Sequence, residues 1–273
     1  MRGLFAAALA AVALVVVAGC GSSGGGSGSG GSGSSAGGKV LKVAVTPGYE
    51  PWTFEVGGRW QGINIEFGDA LAKQLGMRLE YENVNFDATI PGLVAHRYDM
   101  ALATMFDTPQ REQQTDFVDY TNGASGVIVS ADDNGTYNTT ADLCGHTVGV
   151  LRGSVDQTTL GAQRCSGPAV KLSIFNDYAS VVLALSSKRI DAAAGDFALM
   201  GLRAQREPQK FKKTGIRYAE GVVGITLPRH SPLEARLVRA TQAIMDSGQL
   251  ERIHAKWGAP GLALHHATVN SGS

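Results

Sequence analysis

Three polar side chains in this sequence stand where they could hold a charged group. In DMALATMFDTPQR, residues 99–111, an apolar run from Met100 to Met105 leads into Thr108, Pro109 and Arg111. Thr108 and Pro109 have the character of an N-cap and a first helical residue. Arg111 therefore projects from a first turn whose free N–H groups also favour an anion. A guanidinium is a planar fork that can grip a carboxylate through two parallel bonds; the plain alternative is a solvated helix charge. In AAAGDFALM, Asp196 directly follows a buried strand. It either faces a cation or only caps the helix after it. In RGSVDQ, Ser154 and Gln157 have the spacing of a capping box, and Gly153 lets backbone approach closely, so the Ser154 hydroxyl either caps or reaches a ligand.

Other chemistries leave no signature. The chain has no G-x-S-x-G, no H-E-x-x-H and no phosphate loop, and its six histidines are scattered without metal-ligand spacing. Neither a metal nor a cofactor is expected. Lys+Arg and Asp+Glu both number 24, with no basic run. That balance argues against nucleic acid, or an anionic membrane surface, as the main partner.

The elements that must position these residues alternate. VLKVAVT (40–46) reads as a strand. NIEFGDALAKQLG (64–76) reads as a helix with Phe67, Leu71 and Leu75 on one stripe, ending at Gly76. Strand RLEYENV, short helix DATIPGLVAHR and strand DMALATM complete a β-α-β-α-β set, which implies a parallel sheet with crossover helices. Residues 116–133 are extended and glycine-punctuated. A second α/β set follows, from TVGVL through VKLSIF, YASVVLALSSKR and DAAAG to FALMGLRAQ. Residues 216–227 are extended again. Ser231, Pro232 and Glu234 have capping-box spacing at the start of a C-terminal helix that breaks at Ser247-Gly248 and resumes to Trp257. Two α/β sets joined by two extended crossings imply two lobes around a hinged cleft, with ligand sites at strand C-termini and helix N-termini.

The first 19 residues combine Arg2 with an apolar run and a small-residue end, the pattern of a secretory signal. VAGC, ending at Cys20, resembles a bacterial lipobox. That resemblance implies a diacylated Cys20 as the first mature residue; the alternative is an ordinary signal peptide with an incidental cysteine. Residues 20–38 are then the lipidated cysteine and a Gly/Ser tether spanning roughly 20–25 Å. Cys144 and Cys165 remain in the body. An oxidising compartment and an even count predict a disulfide between them, worth ~3 kcal/mol, against the alternative of two buried thiols.

Five blocks carry a family resemblance. LKVAVTPGYEPWTFEVGGRWQGINIEFGDALAKQLG, VNFDATIPGLVAHRYDMALATMFDTPQREQQTDFVDY, LCGHTVGVLRGS, SSKRIDAAAGD and GQLERIHAKWG occur in order across nearly all of residues 39–260. Together they resemble the family 3 extracellular solute-binding proteins, the amino-acid receptors of ABC importers. The resemblance implies an α/β, two-lobed, periplasmic-binding-protein-like (type II) fold with two crossing hinge strands. Lobe 1 would comprise residues 39–123 and 222–260, lobe 2 residues 124–221, and residues 261–273 a disordered tail.

By the same resemblance, Arg111 holds the carboxylate of a free amino acid, Asp196 its ammonium, and Ser154 meets the carboxylate from the second lobe. Tyr49 and Phe86 wall the ligand, and Thr104 bonds it. Trp52 and Phe54 read as core at a strand edge. Two positions depart from the family pattern. Phe106 replaces a small hydroxyl residue and narrows the pocket. Thr46 stands where binders of cationic amino acids often carry an acid. With Arg152 free to pair with a ligand side chain, a polar or acidic amino acid is expected. The whole is read as a monomeric receptor, not an enzyme, that lies outside the cytoplasm, is anchored to the outer face of the cell membrane through Cys20, and serves an ABC permease. The alternatives on the same fold are a cyclohexadienyl-dehydratase-like enzyme or a ligand-sensing protein.

Overall fold

The computed structural model describes residues 39–272. The Cys20 lipidation position and the Gly/Ser tether lie outside them. The chain enters β1 (Val40–Val45), then a hairpin of β2 (Phe54–Val56) and β3 (Arg59–Gln61), α1 (Ile63–Leu75) and β4 (Arg78–Asn83). A 3₁₀ turn at Phe86–Ala88 leads into α2 (Thr89–Val94), followed by β5 (Met100–Phe106) and the one-turn α3 (Pro109–Glu112). The long strand β6 (Thr115–Ser130) crosses to a second set: β7 (Thr147–Leu151), α4 (Val155–Gly161), β8 (Lys171–Phe175), α5 (Tyr178–Ser186), β9 (Ala192–Asp196) and α6 (Phe197–Arg206). The equally long β10 (Phe211–Pro228) returns to α7 (Glu234–Asp246), α8 (Gln249–Lys256) and β11 (Ala263–Val269).

One sheet runs through both lobes in the order β4-β1-β5-β10-β6-β9-β7-β8. Its flanks are parallel, β1 with β4 and β5, and β7 with β8 and β9. The crossing strands β6 and β10 are antiparallel to each other and to β5 and β9. β5 is buried at every position, as a central strand covered on both faces must be, which is why its sequence is a continuous apolar run. Phe67, Leu71 and Leu75 of α1 pack with Leu41, Val43 and Leu102 in the core of the first lobe. Val148, Val150, Ala192 and Leu160 centre a second core. A third apolar cluster joins both lobes, bringing Tyr49, Trp52, Phe86 and Met105 against Leu151, Tyr178 and Leu199.

Cys144 and Cys165 form the expected disulfide, with Cα atoms 5.8 Å apart, tying the turn before β7 to the segment after α4. Two expectations need correction. Ser231 does not form a capping box. Its hydroxyl takes the Leu233 amide and its carbonyl takes the Glu234 amide, so a separate turn precedes α7. The segment after Gly261 is not a disordered tail. β11 pairs antiparallel with β6, placing Ala263 opposite Thr121 and Thr268 opposite Asp119. Residues 268–272 then bond buried acids. Thr268 and Ser271 hydroxyls donate to Asp119 Oδ2, Asn270 donates to Asp116 Oδ1, and the Gly272 amide donates to Asp107 Oδ2. The segment is too polar to show an apolar period, because side-chain and backbone donors, rather than apolar area, hold it.

Candidate functional site

Between the lobes, β5, β7, β8 and β9 end on one side, and the turns after them start α3, α4, α5 and α6. Local sequence sets each start. Thr108 caps α3 through the Arg111 amide, with Pro109 next to it. Ser154 caps α4 through the Gln157 amide, while Gln157 Oε1 returns to the Gly153 amide. Asp177 caps α5, and Asp196 caps α6 through the Leu199 amide. Four helix N-termini thus face one cavity, a positive environment suited to an anion.

The cavity is lined by Tyr49, Phe86, Thr104, Phe106, Arg111, Ser154 and Asp196 from the sequence reading, joined by Val155, Asp156 and Tyr178. Its free volume is about 10 Å³, room for about one water. An amino acid can enter only if the walls part. Arg111 donates from Nη1 to the Phe106 carbonyl (2.7 Å) and from Nη2 to the Gly153 carbonyl (3.0 Å), and lies 5.6 Å from the Phe86 ring centroid. Burial lowers its pKa to about 10, against the pull of Asp156, so it keeps its charge. Tyr49 and Tyr178 meet with ring centroids 4.8 Å apart. Burial raises both phenols, so both stay neutral donors.

The acids are buried too. Burial raises Asp196 to about 6, opposed by the Leu199 amide and the Trp52 indole N–H. Asp156 is also raised by burial, while the Tyr218 hydroxyl, 2.8 Å from its Oδ1, stabilises the anion. Thr104 has φ 52, a left-handed conformation disfavoured for a β-branched residue. Asn64 holds it there. Asn64 Nδ2 donates to Thr104 Oγ1 (2.9 Å), Thr53 Oγ1 and the Leu102 carbonyl, and its Oδ1 accepts from Tyr120 (2.7 Å). The Phe106 ring lies against the crossing strands, where a Cβ on Gly123 would come within 2.9 Å of it.

Arg152 requires correction: it does not line the cavity. Its Nε donates to Asn176 Oδ1 (3.0 Å) and lies 3.9 Å from Asp87 at a half-exposed rim. Thr46 is buried and donates to the Val84 carbonyl instead of facing the cavity. Sequence reasoning missed Asp156 and Tyr178, which look like ordinary first-turn residues. It also missed Asn64 and Trp52, which look like core. Among the described residues, no group of three His, Cys, Asp or Glu side chains could hold a metal ion.

Two α/β lobes on one sheet, joined by two long strands and enclosing a charged, aromatic-walled cavity, define a cleft-closing solute-binding protein. The chain belongs to the bacterial extracellular solute-binding proteins, family 3, whose family model matches residues 41–260. It is similar to the arginine-binding extracellular protein ArtP of Bacillus subtilis (strain 168), with 31% identity over 224 residues, covering 81% of this chain and 87% of that protein. Solved structures of an ancestral arginine-binding protein also match at 26% identity, covering 80% of this chain and 97% of theirs. The arginine-bound form has a TM-score of 0.75 and the glutamine-bound form 0.73.

Proposed function

We propose that this protein is an extracytoplasmic receptor that closes on one free amino acid and delivers it to an ABC importer. The ligand's side chain ends in hydrogen-bond donors, as those of arginine and glutamine do. One observation carries the side-chain preference: the cavity holds one guanidinium, Arg111, and two buried carboxylates, Asp156 and Asp196. Arg111 takes the ligand carboxylate in place of the backbone carbonyls it now contacts, and Asp196 takes the ammonium. Asp156 is then the remaining buried carboxyl; hydroxyl donors such as Tyr218 stabilise its anion but supply no opposite charge, so it favours a donor from the ligand. A cationic or amide side chain supplies that donor. An acidic side chain would meet Asp156 with its own charge, and Arg152 sits too far out to help. The expected preference for a polar or acidic ligand is not carried by the relatives; the reading proposed here keeps a polar side chain and drops the acidic one.

Binding begins with the lobes apart. Closure brings Ser154 and Asp196 over the ligand, expels water, and strengthens both charge pairs. The closed form is the one a permease would read. Relatives that bind amino acids, together with a cavity whose residues suffice for binding, support a receptor over an enzyme. A thermal-shift screen of the twenty amino acids tests the reading, because a ligand raises stability by mass action. Arginine and glutamine should raise the melting temperature, and aspartate and glutamate should not. A shift with glutamate alone would overturn the side-chain assignment, and product formation without a stable complex would overturn the receptor. The lipid anchor is tested separately: Cys20→Ser should release the protein into the soluble fraction.

A further inference from the structure

The two well-formed hydrogen bonds to the Asp196 carboxylate both end on the same oxygen, with the Ala198 amide also nearby. The Leu199 amide donates to Oδ1 at 2.8 Å, as an N-capped helix requires, and the Trp52 indole N–H donates to Oδ1 at 2.9 Å. The first partner is three residues away. The second comes from the other lobe, 144 residues away.

Trp52 is built for that reach. It is fully buried, and its ring stands edge-on to His254. The Ile63 amide donates to the Pro51 carbonyl and the Asn64 amide to the Trp52 carbonyl, both at 3.0 Å, so the start of α1 grips the backbone on which the indole stands. This grip explains Gly62. At φ 113, a Cβ there would lie 2.3 Å from the Trp52 carbonyl oxygen. A phenyl ring would fill most of the same space, so packing alone does not call for an indole. The N–H is the feature a phenyl ring lacks.

We propose that Trp52 is a positioning residue for ligand binding: its indole N–H orients the Asp196 carboxylate, leaving Oδ2 towards the ligand ammonium, and it links the lobes only when they are closed. The proposal rests on the receptor reading above. It gives Trp52 two effects on one equilibrium. The N–H favours the ionised carboxylate that an ammonium needs. The interlobe bond adds to the closed state without touching the ligand, so its loss speeds ligand release. Asp156 on α4 and the Tyr49, Tyr120 and Tyr178 hydroxyls also face this carboxylate, Arg111 lines the same cavity, and a conservative change at Trp52 leaves them in place.

The test is Trp52→Phe, with arginine and glutamine as probes, measured by calorimetry from pH 5 to 8. Wild type should bind with an affinity that falls on the acid side of the Asp196 titration. The variant should bind roughly tenfold or more weakly at pH 7, and its acid fall should begin at higher pH. A merely structural role would not move the acid limb. Asp196→Asn supplies the second arm: on that background Trp52→Phe should cost much less than on wild type. Unchanged affinity and an unchanged acid limb, or full additivity with Asp196→Asn, would overturn the positioning role while leaving the receptor reading intact. Failure of the wild type to bind any amino acid would overturn both.

Discussion

The guanidinium of Arg111 and the carbonyl of Gly153 meet at 3.0 Å, although they belong to different lobes. On the proposed reading one arginine serves two partners in turn: the Gly153 carbonyl when the lobes close on themselves, and a carboxylate when a ligand intervenes. The exchange replaces a neutral acceptor with a charged one, and bonds to charged acceptors are about twice as strong.

Arg111→Lys should weaken ligand affinity by roughly 100-fold, because an ammonium keeps the charge but loses the fork. Isothermal calorimetry of the variant checks this, with its melting temperature as the control for folding.

Affinity should depend on pH through Asp196. Burial holds its pKa near 6, and on the proposed reading the ligand ammonium pairs with the ionised form. Affinity should be nearly flat above pH 7 and fall about tenfold per pH unit well below 6. Asp196→Asn should bind weakly and without that acid limb, as read from binding isotherms at pH 5, 6 and 7.

Stability should depend on pH in the opposite sense through Asp107. Burial raises its carboxyl to about 7, helped by Asp119 and Glu112 nearby and opposed by the Gly272 amide. A folded pKa above the unfolded one means that the native state holds the proton more tightly. This contribution is complete below the unfolded value, about 4, and is lost as pH rises through 7. This contribution to the melting temperature should therefore drop between about pH 4 and pH 7 and level off above that. In Asp107→Asn, which keeps an acceptor for Gly272 and cannot ionise, the drop should be smaller.

Asn64→Leu should lower stability by about 2 kcal/mol or more, because it strands the Tyr120 hydroxyl and frees the left-handed Thr104 at once. Denaturant titration gives the stability loss, and ligand affinity should fall with it.

Reduction of Cys144–Cys165 should cost roughly 3 kcal/mol, since the bridge closes a loop over a separation of 21 residues. Melting in the presence and absence of a reductant checks this.

The sequence made much of this architecture legible, for physical reasons. β5 could be read because a strand buried on both faces must be apolar throughout. α1 could be read from its stripe, and the starts of α3, α4 and α6 from their caps. The same caps made Arg111, Ser154 and Asp196 visible, since helix starts and strand ends are where the cavity forms. Asp156 was hidden because an acid in a first turn is ordinary, and nothing local records that this one is buried beside Tyr218. Arg152 was misplaced because residue type does not tell which way a rim side chain turns; Asn176 and Asp87, distant in sequence, decide it. Trp52 reads as core, which it also is, because its burial outweighs one N–H in any hydropathy pattern. β11 was lost because its partners are buried acids on β6 and on the loop after β5.

β11 also decides where the hinge can bend. Opposite residues 118–121 the pair of crossing strands becomes a triplet, with β10 on one edge of β6 and β11 on the other. A splinted ribbon resists flexing. Beyond it, β9 takes the same edge of β6 from Ser125 to Val129, so only residues 122–124 of β6 carry neither β11 nor β9, and there the register with β10 slips between Tyr218 and Gly221. The compliant length is this short gap, held by β11 on one side and by β9 on the other, so bending of the two crossings concentrates in three residues of β6 and not along the whole ribbon.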